Sequence, residues 1–299
     1  MLSKAPHCGE KWRKYSIDMD TLSQNSAPTE PLLEQREREL LKDAQTHVYQ
    51  VENGCQLNAY CFNPPNHSVD EPKPAIIFFH GGLWDVSMPT QFAPHCMHFA
   101  SRGMVAITVE YRIGPKHNAS PVDAFEDAQM AMLWMRHNHA SLGIDPERIV
   151  AVGAASGAHM ALSLAMQPEV LEVEGYNPRP QAVIALSALV NTTRKGIESG
   201  RFPDLKTATK LSPSSHIRRR LVPSLFLHGK SDTIVPFEQV QKFTKVMKRK
   251  KNACELIDFE AANHSFFNFN VSAKHFEIVL NSMDAFVSDL GYIEPMEYL

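Results

Sequence analysis

The sequence predicts an α/β protein, with a mostly parallel, doubly wound sheet, helices on both faces and a small cap or long loop. Short runs of consecutive apolar residues, typical of strands buried on both faces, alternate with segments whose apolar residues recur at helical spacing. Such alternation forms βαβ units with right-handed crossovers. The predicted buried strands span residues 75–79, 104–111, 182–186, 223–229 and 254–259, with a further strand beginning at Ile149. Helices are predicted near 90–102, over 121–139 and over 237–249.

Length and composition indicate one ordinary globular domain. A chain of 299 residues that is 43% hydrophobic and 21% charged can bury one large core. The formal net charge of −3 leaves no basic surplus that would suggest a nucleic-acid partner. No apolar run reaches the length that spans a bilayer, and the first ten residues lack the apolar segment of a signal peptide. We expect a protein that binds neither nucleic acid nor membrane.

The cysteine pattern favours a reducing compartment. The chain has five cysteines, an odd number, and none of them forms a Cys-x-x-Cys pair. This argues against a disulfide framework and against a zinc ribbon. We therefore expect a cytoplasmic protein. The five are Cys8, Cys55, Cys61, Cys96 and Cys254.

The chain divides into a short N-terminal part and one large domain. Residues 1–45 are predicted to be a loose polar arm followed by a surface helix over 32–44, and residues 46–299 form the domain. Alternating residues around Asn53-Gly54 predict a hairpin over 47–62. Residues 190–220 show no clear periodicity and are predicted to be a cap or long loop that shapes the substrate pocket.

The segment from Ile149 to Leu162 organises the predicted domain, because it reads as strand, sharp turn and helix. Where a nucleophile sits in such a turn, the residues two before and two after it need to be almost free of side chain. Gly153 and Gly157 meet that need. The residue midway between them is Ala155, and the nearby hydroxyl, Ser156, comes one position later.

A second glycine pair follows the strand at 75–79, in His80-Gly-Gly-Leu-Trp84. Backbone N–H groups of Gly81, Gly82 and Leu83 could point toward one site and form an oxyanion hole. A plain turn from strand to helix is the other interpretation of these residues. Trp84 is expected either to form a wall of the acyl pocket or to belong to the core.

Asp232 and His264 each follow a predicted strand, at the sheet edge where open α/β sheets bind ligands. Their order along the chain is turn, acid and histidine, as in catalytic triads of this topology. Asp232 would orient the imidazole, and His264 would act as general base and then general acid. His159 is expected to pack beneath the site, and the pair His95 and His98 to have a surface or packing role rather than bind metal.

Four blocks together resemble the esterase and lipase branch of the α/β-hydrolases, over about residues 45–290. The similarity extends to hormone-sensitive-lipase-like, acetyl- and feruloyl-esterase-like and arylformamidase-like proteins. It implies an α/β-hydrolase fold, hydrolysis of a small carboxylic ester or acyl compound, and no metal or cofactor. The blocks are His80-Gly-Gly-Leu-Trp84, the run from Arg148 to His159, His228-Gly-Lys-Ser-Asp232 and His264-Ser-Phe-Phe-Asn268.

The sequence departs from that family at the turn, where relatives usually read Gly-x-Ser-Ala-Gly and this chain has alanine and serine exchanged. In one register the turn slips by one residue, and Ser156 forms the triad with Asp232 and His264. In the other, which we favour, Ala155 occupies the nucleophile position. The two registers predict an active carboxylesterase or an impaired one; the alternative function is a catalytically silent ligand-binding or interaction protein.

Overall fold

One sheet of eight strands forms the centre of the protein in a computed structural model that describes residues 30–52 and 54–296. The strand order across the sheet is β1-β2-β4-β3-β5-β6-β7-β8. The strands are β1 (Gln45–Glu52), β2 (Cys55–Phe62), β3 (Lys73–Phe79), β4 (Val105–Val109), β5 (Ile144–Ala154), β6 (Ala182–Leu186), β7 (Ser224–Gly229) and β8 (Cys254–Phe259).

The pairing of the strands places one set of loops at a common edge. β1 pairs with β2 and β2 with β4 in antiparallel fashion, and the remaining neighbours are parallel. The predicted hairpin and the predicted mostly parallel sheet are therefore confirmed; Asn53 of the hairpin turn lies outside the described residues. Because the strands from β4 to β8 run the same way, their carboxyl ends meet at one edge.

Helices connect these strands and cover the sheet. The α-helices are α1 (Glu30–Leu41), α2 (Ala93–Ser101), α3 (Gly114–His117), α4 (Pro121–His137), α5 (His139–Leu142), α6 (Ser156–Met166), α7 (Leu205–Leu211), α8 (Phe237–Arg249) and α9 (Ala273–Asp289). Single 3₁₀ turns occur at Pro89–Phe92, Ser199–Arg201 and Pro213–His216. The predicted arm over residues 1–29 lies outside the described residues.

Apolar packing on both faces explains why β3 is a continuous apolar run. Successive side chains of a strand point to opposite faces. Ile77 and Phe79 belong to the core on one face, and Ile76 and Phe78 to the core on the other. All four side chains are completely buried. A strand in this environment needs an apolar residue at every position, so the sequence loses the alternation of a half-exposed strand.

Local signals at helix starts agree with the sequence prediction for α4. Its N-cap, Ser120, forms a capping box with Asp123, and Pro121 occupies the first helical position.

Two other regions differ from the prediction. The helix predicted near 90–102 begins only at Ala93, and residues 190–220 contain the short helix α7, which Asp204 caps by accepting from Thr207 N–H.

Candidate active site

The candidate site is a pocket of about 710 Å³ at the carboxyl ends of the parallel strands. It brings together three predicted regions: the oxyanion loop (residues 80–84) after β3, the turn after β5, and the histidine loop (residues 261–272) after β8. Gly82, Ala155 and His264 are among its lining residues. The fold thus brings groups separated by more than 180 positions of sequence to one cavity.

The turn between β5 and α6 places Ala155 in a strained backbone conformation. Its φ is 49° and its ψ is −110°, a combination that residues with a side chain rarely adopt. Three hydrogen bonds hold it: Ala155 N–H donates to Leu186 O at 3.0 Å, and Ala155 O accepts from His159 N–H at 3.0 Å and from Leu189 N–H at 3.3 Å. The methyl-bearing residue therefore stands at the apex of the turn.

The two glycines around this turn are required by close backbone contacts. A Cβ on Gly157 would lie 2.0 Å from Phe79 O, and one on Gly153 would lie 2.2 Å from the backbone of Gly157. Neither position tolerates a side chain unless β3, β5 and α6 separate. The spacing of these glycines is the sequence signal that fixes the register of the turn around Ala155.

Ser156 begins α6 and is completely buried. It is not among the residues that line the pocket. Its hydroxyl oxygen lies near the phenol of Tyr111 and has no hydrogen-bond partner within the described residues. The predicted catalytic serine and the predicted catalytic histidine are therefore not hydrogen-bonded to each other.

Asp232 and His264 are in direct contact, as their order in the sequence predicted. His264 Nδ1 lies 2.8 Å from Asp232 Oδ2, and Asp232 Oδ1 accepts from the N–H groups of Ile234 and Val235 at 2.9 Å. Ser187 Oγ donates to His264 O at 2.8 Å, which fixes the backbone of the histidine loop. The carboxylate orients the ring with Nδ1 protonated, so Nε2 carries the lone pair.

Hydrogen bonds keep Asp232 ionised despite its burial. Burial by itself would raise the pKa of Asp232, but hydrogen bonds from His228 and His264 and the backbone N–H of Val235 outweigh it and lower the pKa well below its usual range. His228 Nε2 lies 3.2 Å from the same carboxylate oxygen that His264 contacts. A permanently charged carboxylate stabilises a protonated imidazole, as general base catalysis requires.

The oxyanion loop is held in an unusual backbone conformation. Gly82, Leu83 and Trp84 all have positive φ, at 118°, 51° and 62°. Gly81 N–H donates to the side chain of Gln91 at 2.7 Å, so this amide is already occupied, which the sequence did not predict. Within the described chain, the N–H groups of Gly82, Leu83 and Ser156 donate to no other group.

Aromatic side chains support the loop from below. The Tyr111 hydroxyl donates to His80 O at 2.8 Å, and the two rings are stacked with centroids 4.1 Å apart. Trp84 packs edge-on against His159 and Phe202 and is 2% exposed. Of the two interpretations of Trp84, the structure favours the core. His159 lies beneath the site as expected, and burial lowers its pKa to about 3.

The outer wall of the pocket comes from a segment that the sequence did not connect with the site. Arg36, Glu37 and Leu40 of α1 line the pocket, whereas none of residues 190–220 does. The excursion over 190–220 instead contacts residues around the pocket, through Phe202 against Trp84 and through Arg201, whose Nη1 donates to Oδ2 of the lining residue Asp85 at 2.5 Å. Charge and helix propensity in α1 gave no sign of its position, because only tertiary packing places it against the pocket.

The histidine pair on α2 has a packing role. His95 is completely buried and contacts the rings of Phe78, Phe92 and Phe276. His98 Nε2 lies 3.0 Å from Asp284 of α9. Within residues 30–52 and 54–296, no three metal-ligating side chains are grouped to hold an ion. None of the helices in that part of the chain is both long enough and apolar enough to cross a bilayer.

Chemically, the site has an acid–base pair and hydrogen-bond donors for a developing negative charge. The acid–base pair is Asp232 with His264, and the unengaged donors are the amides of Gly82, Leu83 and Ser156. Acyl transfer to water needs both. The apex of the turn in the same pocket, where triads usually carry an attacking side-chain oxygen, is Ala155, whose side chain is a methyl group.

Comparison with known proteins assigns the family. Residues 76–214 match a family model described as the alpha/beta hydrolase fold. The structure of propionate-bound esterase 2 from the planctomycete Thermogutta terrifontis is 34% identical and has a TM-score of 0.81. The match covers 86% of this chain and 98% of that one.

Curated relatives are more distant. A probable carboxylic ester hydrolase, LipM, of Mycobacterium tuberculosis is 23% identical over 68% of this chain and 51% of its own length. The isoprenylcysteine alpha-carbonyl methylesterase ICME of Arabidopsis thaliana is 23% identical over 66% of this chain and 51% of its own length. The chain thus spans about half the length of these curated relatives. Together with the sheet topology and the site geometry, the similarities show that the chain belongs to the carboxylesterase-like branch of the α/β-hydrolase fold family.

Proposed function

We propose that this protein binds small carboxylic esters and hydrolyses them slowly, with water rather than a serine as the nucleophile. The observation that carries the proposal is the presence of Ala155 at the apex of the strained turn, in the same pocket as the His264–Asp232 pair. Triads that lose one member keep about 10³–10⁴-fold catalysis over water, through the oxyanion hole and substrate binding.

In the proposed reaction, His264 Nε2 takes a proton from a water molecule as that water attacks the ester carbonyl carbon. The negative charge that develops on the carbonyl oxygen is stabilised by the amides of Gly82, Leu83 and Ser156. Asp232 stabilises the protonated His264 ring. The C–O bond to the alcohol then breaks, and His264 returns the proton to the leaving oxygen. Ester and water become acid and alcohol, with no covalent enzyme intermediate.

The expected substrates are esters of short acids. A pocket of about 710 Å³ is of the size usual for small-molecule sites. The related esterase of Thermogutta terrifontis has structures with propionate and with butyrate bound, which supports short acyl groups for this chain as well. The natural alcohol is not defined by these similarities.

Two other functions compete with this proposal. The methyl group of Ala155 favours the first, a silent ligand-binding protein that retains the pocket without turnover. The second is a conventional serine carboxylesterase with the triad Ser156, Asp232 and His264. It requires the turn to shift by one residue, against the close glycine contacts at positions 153 and 157.

Hydrolysis of p-nitrophenyl acetate and labelling by a fluorophosphonate distinguish the three functions. We expect slow turnover without an initial burst, no labelling of wild type, and loss of turnover in His264→Ala but not in Ser156→Ala. Labelling that disappears in Ser156→Ala would establish the serine mechanism. Saturable binding of butyrate without any turnover above the His264→Ala background would establish the silent protein.

The proposal includes the compartment of the protein and the bounds of its hydrolase domain. Cys55, Cys61, Cys96 and Cys254 are free thiols, which supports a reducing compartment such as the cytoplasm. We propose residues 46–299 as the hydrolase domain, with α1 as an added wall of its pocket. No nucleic-acid partner and no cofactor are part of this function.

A further inference from the structure

Gln91 connects two loops of the candidate site that are far apart in the sequence. Its Oε1 accepts from Gly81 N–H at 2.7 Å, and its Nε2 donates to Asn268 Oδ1 at 3.2 Å. Gly81 belongs to the oxyanion loop after β3, and Asn268 to the histidine loop after β8. The strands β5, β6 and β7 lie between them in the sheet. One side chain therefore joins opposite sides of the pocket.

The hydrogen bonds around Gly81 fix the directions of two peptide groups. In the peptide from His80 to Gly81, the carbonyl accepts from the Tyr111 hydroxyl and the N–H donates to Gln91. In the next peptide, Gly81 O lies 2.7 Å from His80 Nδ1. The N–H of a trans peptide points away from its carbonyl. Gly82 N–H is consequently directed away from the His80 ring, on a residue that lines the pocket.

The other end of the bridge is equally defined. Asn268 N–H donates to Ser265 O at 3.0 Å, and Asn268 O accepts from Val271 N–H at 3.1 Å. Ser265 directly follows His264. A displacement of Asn268 would therefore be transmitted to the backbone that carries the catalytic imidazole. Both Gln91 and Asn268 line the pocket, so the bridge lies at the site and not behind it.

We propose that Gln91 is a positioning residue that fixes the Gly82 amide relative to the His264 ring. The inference rests on the proposed function, because the distance between an oxyanion donor and a general base matters only for acyl transfer. Such reactions are sensitive to this distance, and displacements of about 1 Å can cost about 100-fold in rate. Gln91 acts through Gly81 and Asn268 and contributes no reacting atom.

The activity test uses the double variant Ala155→Ser/Ser156→Ala, which restores the serine order of the family. In that background Gln91→Met removes both hydrogen bonds at nearly constant volume. We expect kcat for p-nitrophenyl acetate to fall at least about tenfold, with KM changed less than about twofold. Gln56→Met, the same substitution at an exposed glutamine of β2 outside the pocket, is the matched control and should leave both values unchanged.

A double-mutant cycle tests whether the bridge acts as one unit. Asn268→Leu removes the same link from its other end, so Gln91→Met combined with Asn268→Leu should cost no more than the larger single effect. Fully additive effects would overturn the proposal. An unchanged kcat, with loss of thermal stability alone, would assign Gln91 a structural role and also overturn it.

Amide hydrogen exchange in the wild-type background separates this inference from the proposed function. Gln91→Met should accelerate exchange at Gly81 at least about tenfold relative to Gln56→Met, because the amide loses its acceptor. Unchanged exchange at Gly81 would overturn the proposal even if the serine variant were active. Wild type without any His264-dependent turnover would refute the proposed function, and exchange would still decide whether Gln91 holds this loop.

Discussion

The two halves of the candidate site differ in what they retain. The acid–base half has a complete set of contacts: Asp232 accepts from His264 and from two backbone amides, and the histidine loop is fixed by Ser187. The nucleophile half retains the strained turn and its bracketing glycines, but its apex, Ala155, has no hydroxyl. The backbone geometry of a catalytic turn is thus separable from the atom that it usually presents.

Installing the missing hydroxyl should have the largest effect. Ala155→Ser/Ser156→Ala should hydrolyse p-nitrophenyl acetate at least about 10³-fold faster than wild type and become labelled by a fluorophosphonate. In a well-studied protease, removal of the serine costs about 2 × 10⁶-fold in kcat. Ala155→Gly, which adds no hydroxyl, is the control. A folded double variant without labelling would contradict the idea that only the hydroxyl is missing.

Disrupting the acid–base half should have the next largest effect. In the same serine variant, Asp232→Asn should lower kcat at least about 100-fold, because an amide no longer holds His264 with Nδ1 protonated. Asp258→Asn, which removes an exposed carboxylate paired with Lys230 beyond the pocket, should leave kcat unchanged. Equal losses in the two variants would show that general charge, not orientation of the imidazole, matters.

Filling the space beside the turn should destabilise the fold. Gly157→Ala should reduce the free energy of unfolding by about 3 kcal/mol, since the new methyl group would overlap Phe79 O. Gly200→Ala is the matched control, because a Cβ there meets no atom within 4 Å. Urea unfolding measures both. A Gly157→Ala protein as stable as wild type would mean that the turn relaxes more easily than its contacts imply.

The smallest effect concerns histidines that lack the carboxylate partner of His264. Burial lowers the pKa of His95 to about 3 and that of His80 to about 4, whereas a histidine in the unfolded chain has a pKa of about 6.5. The stabilisation from keeping these rings neutral is complete above about pH 6.5 and is lost as the pH falls toward these lower values.

His95→Phe should therefore weaken the acid dependence of stability, by up to about 1.4 kcal/mol per pH unit. Phenylalanine suits the site because three phenylalanine rings already surround His95. The measurement is urea unfolding between pH 4 and pH 7 for the variant beside wild type. Parallel curves for the two proteins would contradict the assignment of this pH dependence to His95.

Most of the fold could be predicted from the sequence because its signals are local. The helix Phe237–Arg249 and the strands Ala182–Leu186 and Cys254–Phe259 have the predicted boundaries, since each is bounded by proline, glycine or polar residues. The short helix Leu205–Leu211 was not predicted, because seven residues carry too little periodicity to distinguish a helix from a loop.

Prediction of the site succeeded where a motif determines the backbone and failed where packing decides. The contact between Asp232 and His264 follows from their positions after two parallel strands. The hydrogen bond from Gly81 to Gln91 and the position of α1 against the pocket both depend on how distant segments pack. No local pattern in the sequence predicts either of them. The sequence predicted either Ala155 or Ser156 at the nucleophile position, and fluorophosphonate labelling distinguishes the two.

The retained turn at Ala155 also has a genetic consequence. Every alanine codon becomes a serine codon by a single change at its first base, and the backbone that would receive the new side chain is already in place. Gain of a serine nucleophile therefore requires no intermediate of altered architecture. A population screened for faster ester hydrolysis after random mutagenesis should yield serine at this one position before any other change.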